Sequence, residues 1–537
     1  ELKIFIFFNL KEKNYYYYLK FYENNRISML KITKINFKTF FFCLLIIVLF
    51  KPTWLISIDG LGVGGDDLSY WIHSSTVAFD FDLDYKDDHS LDHPNYHKIT
   101  NAPFHSPGSA YANSIFVKIF SFFDQKSETE EIRNNPIGSY ALLGYLLGSV
   151  FYCLLGFYFF NKLLEIKKIF VNKKIVYLLI YFGTVVHYVS NRFLMAHSFE
   201  FFLVMFIFYL FESKKDLFEK FTFFQLVFSF FLLSITRPST FIFSLCLFVV
   251  YHKKFKFNIS NLIVNFGIFF LIVFVYVTAA QTIYNQNSFL LNLNSNNTTA
   301  GIANDINIQW ILGGFSNLIN LVFSPSLGLL WSTPIILMGI ISLFLNKKYY
   351  KDLNLLSKLF LFLYFFGAFL VLIVWQGREA SFGQRLLIGI IPICAYQLCL
   401  YLSNKKMNFL IPFVIILFLG HFFLYSSPNL TLKLGTTLWG TQNEFAAQSY
   451  YYILFYEIFS IENWASSFAR TVFFINLVSM FDFLENFNIF ELSKIREQNL
   501  SDYISKIDNL KILYLLLYNS IVLGFTLFFE KLTRLKG

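Results

Sequence analysis

The sequence predicts an all-α polytopic membrane protein with about twelve transmembrane helices. Three observations carry that prediction. Of 537 residues, 56% are apolar and only 15% charged, with 73 Phe and a mean hydropathy of +0.53. A soluble chain of this length needs far more polar surface. The apolar residues gather into runs near 37–57, 138–161, 174–190, 195–211, 222–236, 238–251, 261–280, 328–345, 356–375, 385–402, 408–426 and 511–530. Finally, the basic residues occupy alternate connections between those runs, which is the positive-inside pattern and excludes a nucleic-acid partner as the reason for the net charge of +10.

Taken in order, the chain begins at Glu1, and its first Met is Met29. Residues 1–36 read as a basic cytoplasmic segment, of which 1–28 are a candidate for upstream translation. The run at 37–57 follows a basic lead and is too long for a cleaved signal peptide, with no small-residue cleavage site after it, so it reads as a retained span. Heavy use of Phe, Ile, Lys and Asn suggests an AT-rich genome. Arg237–Pro238 interrupts the apolar stretch 222–251, where proline must break a helix. Cys43, Cys153, Cys246, Cys394 and Cys399 all lie inside apolar runs, so no disulfide framework is expected. No solenoid-type repeat is present.

The connections orient the spans. Those at 161–174, 212–220, 252–257, 346–352 and 404–407, and the C-terminal KLTRLKG, are basic; 281–327 has no Lys or Arg. With about twelve spans, every basic connection and both termini face the cytoplasm. The opposite face then carries an outer loop at 58–137, the connections 281–327 and 376–384, and a long region at 427–510. Residues 511–537 form the last span and tail.

The outer loop is unusual for so apolar a chain. GVGGDDLSYWIHSSTVAFDFDLDY holds five aspartates just beyond the first span. DDLSYWIHSSTVAF has helical spacing, with Leu68, Ile72 and Val77 on one side, and Asp66 at its start could cap the backbone. FDFDLDY alternates with period two, which predicts an extended segment with Asp80, Asp82 and Asp84 along one solvated edge. His89, His93 and His97, with Asp87, Asp88 and Asp92, have helical metal-ligand spacing that Pro94 interrupts, so they form either a metal site or a polar loop. HSPG, from His105 to Gly108, leads into an amphipathic helix of about fifteen residues that suits a membrane interface.

This order of parts resembles the GT-C glycosyltransferases, and most of all the bacterial branch related to glycosyltransferase family 39, which includes protein mannosyltransferases and lipid A aminoarabinose transferases. The resemblance runs over residues 37–426. It rests on an acidic pair ahead of a Tyr, the alternating aspartates, the HxPG turn, and four later segments: NRFLMAHSFEFFL, TRPSTFIF, FSPSLGLLWSTPI and WQGREASFGQRLLIGIIPI. The chain departs from the pattern in its Asp-Asp pair, where the family has Asp-Glu, and in Arg378–Glu379, where the family has small residues. Residues 427–510 fall outside it.

The resemblance implies a bacterial inner-membrane enzyme with its site on the outer face. Such enzymes move a sugar from a polyprenyl-phosphate donor to an acceptor, usually with inversion. Three tasks follow: a carboxylate base for the acceptor proton, cations for the departing phosphate, and an apolar groove for the lipid tail. Asp66 is the candidate base and Asp67 its positioner or alternate. Arg385, then Arg237 and Arg192, are candidate phosphate ligands. Each sits at a span end and also fits an interfacial snorkelling residue. Tyr70, His105, His197 and Arg378 are further site candidates. No resident cofactor is expected, a divalent metal being the one candidate; the expected partners are the lipid-linked donor, an acceptor and membrane lipid.

Two other classes fit a polytopic chain. A lipid-linked glycan flippase or transporter favours ionisable residues in mid-span and repeated halves, and neither occurs. An O-antigen-type polymerase does not require an acidic pair after the first span. A scaffold gives no reason for the ordered motifs.

Overall fold

The structure is a computed structural model that describes residues 66–82, 105–124, 132–133, 139–183, 196–255, 329–346, 353–374 and 385–403, with isolated positions elsewhere. Every regular element among the described residues is helical. α1 spans Asp66–Asp80 and α2 Gly108–Ser121. α3 is Tyr140–Ile166, α4 Lys173–Phe182, α5 His197–Ser213 and α6 Lys220–Thr236. After Arg237 the chain restarts as α7, Pro238–Ser244, and α8, Cys246–Val250. Then come α9, Leu329–Ser332, α10, Pro334–Leu345, and α11, Leu355–Val374. A 3-10 turn at Arg385–Ile390 leads into α12, Ile391–Leu402. The runs at 37–57 and 511–530, and the region 427–510, lie outside the described residues.

Proline sets several of these starts. Pro238, Pro334 and Pro392 occupy the first turns of α7, α10 and α12. There the missing N–H has no intrahelical partner to lose and the fixed φ already suits the helix. The break at Arg237–Pro238 falls where the sequence puts it. α3 starts differently. Ser139 caps it by accepting from Leu142 N at 3.1 Å, and Asp124 reaches back from the end of α2 to accept from Tyr140 N and Ala141 N, both at 2.8 Å. A carboxylate against free N–H groups is favoured by both hydrogen bonding and the helix dipole.

Glycines let the helices approach. A Cβ at Gly144 of α3 would lie 2.4 Å from the Phe116 carbonyl oxygen of α2, and one at Gly339 of α10 would lie 2.4 Å from Cys394 Cα of α12. α3 also packs along α5, while α7 and α8 lie along α11. The large core this creates includes Phe208, Phe211, Leu226, Tyr364 and Leu387. A second core sits under α1 and α2, where Trp71, Ile72, Ala110 and Val117 meet Leu142 and Tyr145 of α3. The buried Trp71 satisfies its indole by donating from Nε1 to the Arg133 carbonyl at 3.0 Å.

The expected extended segment is corrected here. Phe79 and Asp80 belong to α1, which ends at Phe81 in the left-handed region with φ 62°. Burial of Trp71, Ile72 and Ala78 against the second core rewards helix through this stretch and outweighs the period-two pattern. With Asp82, Asp80 stays solvent-exposed as expected, but at a helix end and not along a strand edge. It receives Arg133 Nη2 at 2.5 and 2.6 Å, which ties the end of α1 to the approach to α3. Leu83–Tyr85 lie outside the described residues.

Three of the basic connections meet at one end of the bundle. Lys167, after α3, meets Glu212 at the end of α5 at 2.6 Å, and Tyr251 donates to the same carboxylate at 2.5 Å. Leu217 N donates to the Lys254 carbonyl at 2.9 Å, and Ser357 of α11 donates to the Val250 carbonyl at 3.0 Å. The connections after α3, α5 and α8 therefore share one end with the start of α11. Among the described residues Tyr140–Ile166 is long and apolar enough to cross a membrane; Lys220–Thr236, Pro238–Val250, Pro334–Leu345, Leu355–Val371 and Leu386–Leu402 are shorter apolar helices.

Replacing Asp124 by Ala removes two caps at the junction of α2 and α3. It is expected to lower the unfolding free energy by about 1–2 kcal/mol, read as a lower midpoint of thermal unfolding followed by circular dichroism. An unchanged midpoint shows that water caps α3 as well as Asp124 does.

Candidate functional site

The other end of the bundle gathers the motifs. α1 approaches it through His73, which is fully buried and donates from Nε2 to the His105 carbonyl at 2.8 Å. One turn nearer the start of α1, the buried Tyr70 ring stands 5.3 Å from the His105 ring. The HSPG turn is thus clamped to α1 by two side chains on one helical face. It then enters α2 at Gly108. A Cβ there would lie 2.4 Å from Thr236 Oγ1 and 2.9 Å from the Ile235 carbonyl carbon, so only glycine lets the turn rest on the end of α6.

The next residue along α6 is Arg237, at the break before α7. Its N–H donates to the Leu233 carbonyl at 2.7 Å, and its own carbonyl accepts from Phe241 N at 3.0 Å. The backbone is thereby satisfied on both sides of the proline. One turn further, Thr240 donates from Oγ1 to Glu200 at 2.5 Å, and the other oxygen of Glu200 pairs with His197 Nδ1 at 2.9 Å. All three side chains are buried. A buried acid in an apolar helix bundle is tolerated only when its oxygens are hydrogen-bonded, and His197 and Thr240 each supply a partner. The network fastens the start of α5 to α7.

The 3-10 turn that Arg385 opens completes the arrangement. A Cβ at Gly389 would lie 2.5 Å from the Phe243 ring and 2.8 Å from Thr240 Cγ2, and Tyr364 of α11 donates to the Gly389 carbonyl. Four segments distant in sequence therefore meet: the HSPG turn, the Arg237–Pro238 break, the start of α5, and the turn after Arg385.

The sequence-predicted residues fall as follows. Asp66 and Asp67 are the first two residues of α1, one turn ahead of Tyr70. Tyr70 and His105 are in contact, and His197 opens α5. Arg237 and Arg385 start the two segments that converge on Thr240. Arg192 and Arg378 lie outside the described residues, as do His89, His93 and His97 with Asp87, Asp88 and Asp92. Among the described residues no group of His, Cys, Asp or Glu could hold a metal ion. Sequence reasoning missed Glu200, His73 and Thr240. The signal for Glu200 was an acid three residues after a helix-opening His, inside HSFEFFL. That for His73 was its place three residues after Tyr70. Thr240 carries no local signal.

No family model, curated protein or solved structure matches this chain.

His73 gives the site a pH signature. Burial holds its imidazole down to about 3, against the smaller upward pull of the His105 carbonyl. The unfolded chain binds that proton near the ordinary histidine value of about 6.5. The stability His73 contributes as a neutral group is therefore complete above about pH 6.5 and lost as the pH falls from there toward 3, by up to roughly 1.4 kcal/mol per pH unit. His73→Gln keeps a donor for the His105 carbonyl but does not titrate. Its thermal midpoint is expected to fall less steeply than that of the wild type between pH 6.5 and 4. Parallel slopes contradict a buried neutral His73.

Proposed function

We propose that the chain is a multi-pass membrane glycosyltransferase of GT-C type, with about twelve spans. It moves a sugar from a polyprenyl-phosphate donor to an acceptor at the outer membrane face, with inversion. The observation that carries this reading is the seating of the HSPG turn on Thr236, beside the Arg237 break and the turn that Arg385 opens. These are the segments whose order in the sequence resembles the family, and they meet at the end of the bundle opposite the basic connections. The membrane reading is further supported by large apolar side chains left exposed on the bundle's flanks, among them Phe221, Phe228, Phe274, Phe344 and Phe362.

In the proposed reaction the acceptor oxygen attacks the anomeric carbon from the face opposite the phosphate. The new carbon–oxygen bond forms as the bond to the phosphate oxygen breaks, and the phosphate leaves with the electron pair. Asp66 takes the acceptor proton, and Asp67 positions it. Arg385, Arg237 and Arg192 neutralise the charge that grows on the departing phosphate, where bidentate guanidinium contact is worth most. His197 and Glu200 act indirectly, by fixing α5 against α7 so that Arg237 has a defined position. A transporter is less well supported, because the buried acids Glu200 and Glu212 lie in the first and last turns of α5 instead of its middle.

Asp66→Asn retains size and capping ability but cannot act as a base. Transfer from a radiolabelled polyprenyl-phosphate sugar in isolated membranes is expected to fall by about 10²- to 10⁴-fold at normal protein abundance. Activity near wild type in both Asp66→Asn and Asp67→Asn removes the acidic pair from the chemistry.

A further inference from the structure

The end of the bundle opposite the candidate site is built around an unusual lysine. α3 finishes in a Schellman motif: Ile169 N donates to the Leu164 carbonyl at 2.9 Å and Lys168 N to the Glu165 carbonyl at 3.1 Å. The residue that such a motif places in the left-handed region is usually glycine. Here it is Lys168, with φ 53°, a conformation that is unfavourable for a residue with a Cβ. Strain of this kind points to a use for the side chain. Lys168 is exposed, and exposed apolar residues stand either side of it, Ile166 and Phe170.

The neighbouring connections repeat the combination. Lys215 and Lys220 are exposed between α5 and α6, with Phe221 exposed beside Lys220, and Lys253 is exposed after α8. The Lys167–Glu212 ion pair and the Leu217–Lys254 hydrogen bond draw all three connections into one surface. Two acids of these connections are turned inward or onto the backbone, while Glu219 stays exposed beside Lys220. Glu212 is buried under Lys167 and Tyr251, and Asp216 accepts from Phe218 N at 2.9 Å. The surface left to solvent combines exposed lysines with exposed apolar side chains that neighbour them in the chain.

We propose that this end binds anionic phospholipid, with Lys168, Lys215, Lys220 and Lys253 on the phosphate headgroups and Phe170 and Phe221 against the upper acyl chains. The proposal rests on the membrane reading above, but not on the transferase chemistry. Ammonium groups near an anionic surface each strengthen binding by about fivefold. A strained lysine at the helix end holds one of those groups beyond the last carbonyls, where a headgroup can reach it.

The full chain in neutral detergent micelles tests this. Phosphatidylglycerol is expected to raise the thermal midpoint more than phosphatidylcholine of the same acyl chains, because a ligand of the folded state stabilises it. Lys168→Gly should unfold no lower than wild type in neutral detergent, since it relieves the left-handed strain, yet bind phosphatidylglycerol about fivefold more weakly. Lys215→Gln/Lys220→Gln should lose more of the lipid effect. Equal midpoints in the two lipids, or an unchanged phosphatidylglycerol response in both variants, overturn the proposal. So does an equal rise with inorganic phosphate alone, which leaves a free-anion site. Recovery of the chain in the soluble fraction after alkaline extraction of membranes overturns the membrane reading and this proposal together.

Discussion

Gly108 approaches Thr236 so closely that no side chain fits between them. That approach sets the position of everything on its side of the bundle. It places the His105–Gly108 turn over the end of α6, and His73 and Tyr70 then bring α1 to the turn from the other side. The same helix end carries Arg237 and the proline that restarts the chain as α7, so the contact fixes the turn ahead of α2 against a break in a core helix. Thr240 passes the registration on to Glu200 and His197 in α5, and Gly389 passes it to the turn after Arg385. A larger residue at 108 would have to displace backbone, because Ile235 contributes its carbonyl carbon to the contact.

The polar groups of the bundle are sorted by end. α5 shows this within a single helix, with Glu200 buried in its first turn beside His197 and Glu212 buried in its last turn beside Lys167 and Tyr251. The intervening turns are aromatic and aliphatic and pack into the large core. A helix of this length separates its ends by roughly 25 Å. The two buried carboxylates therefore anchor two different assemblies, one of motif-bearing turns and one of basic connections. The arrangement keeps unpaired charge out of the middle of an apolar bundle, where it would be the most expensive to bury.

Much of this was legible in the sequence where a residue's own backbone decides the outcome. Pro238 ends α6 and starts α7 because it cannot donate and its φ is fixed, and the helix after HSPG runs as its apolar spacing implies. What was not legible depends on partners far along the chain. The period-two pattern of FDFDLDY lost to the burial of Trp71 and Ala78, and Asp80 found its cation 53 residues away at Arg133. Glu200 reads as an intruder in an apolar run until Thr240, 40 residues on, is seen to donate to it. Asp124 gives no local hint that it caps α3, because its two N–H partners lie across an unrelated connection.

The seating of Gly108 on Thr236 is the central claim, and the sign of one stability change tests it. On an unencumbered helix Gly→Ala stabilises by about 0.5–1 kcal/mol, through better helix propensity and a less flexible unfolded chain. At position 108 the added methyl meets Thr236 Oγ1 and the Ile235 backbone instead. The thermal unfolding midpoint of Gly108→Ala in neutral detergent is therefore expected to lie below that of the wild type. A midpoint above the wild type contradicts the contact, and with it the convergence of the motifs on one site.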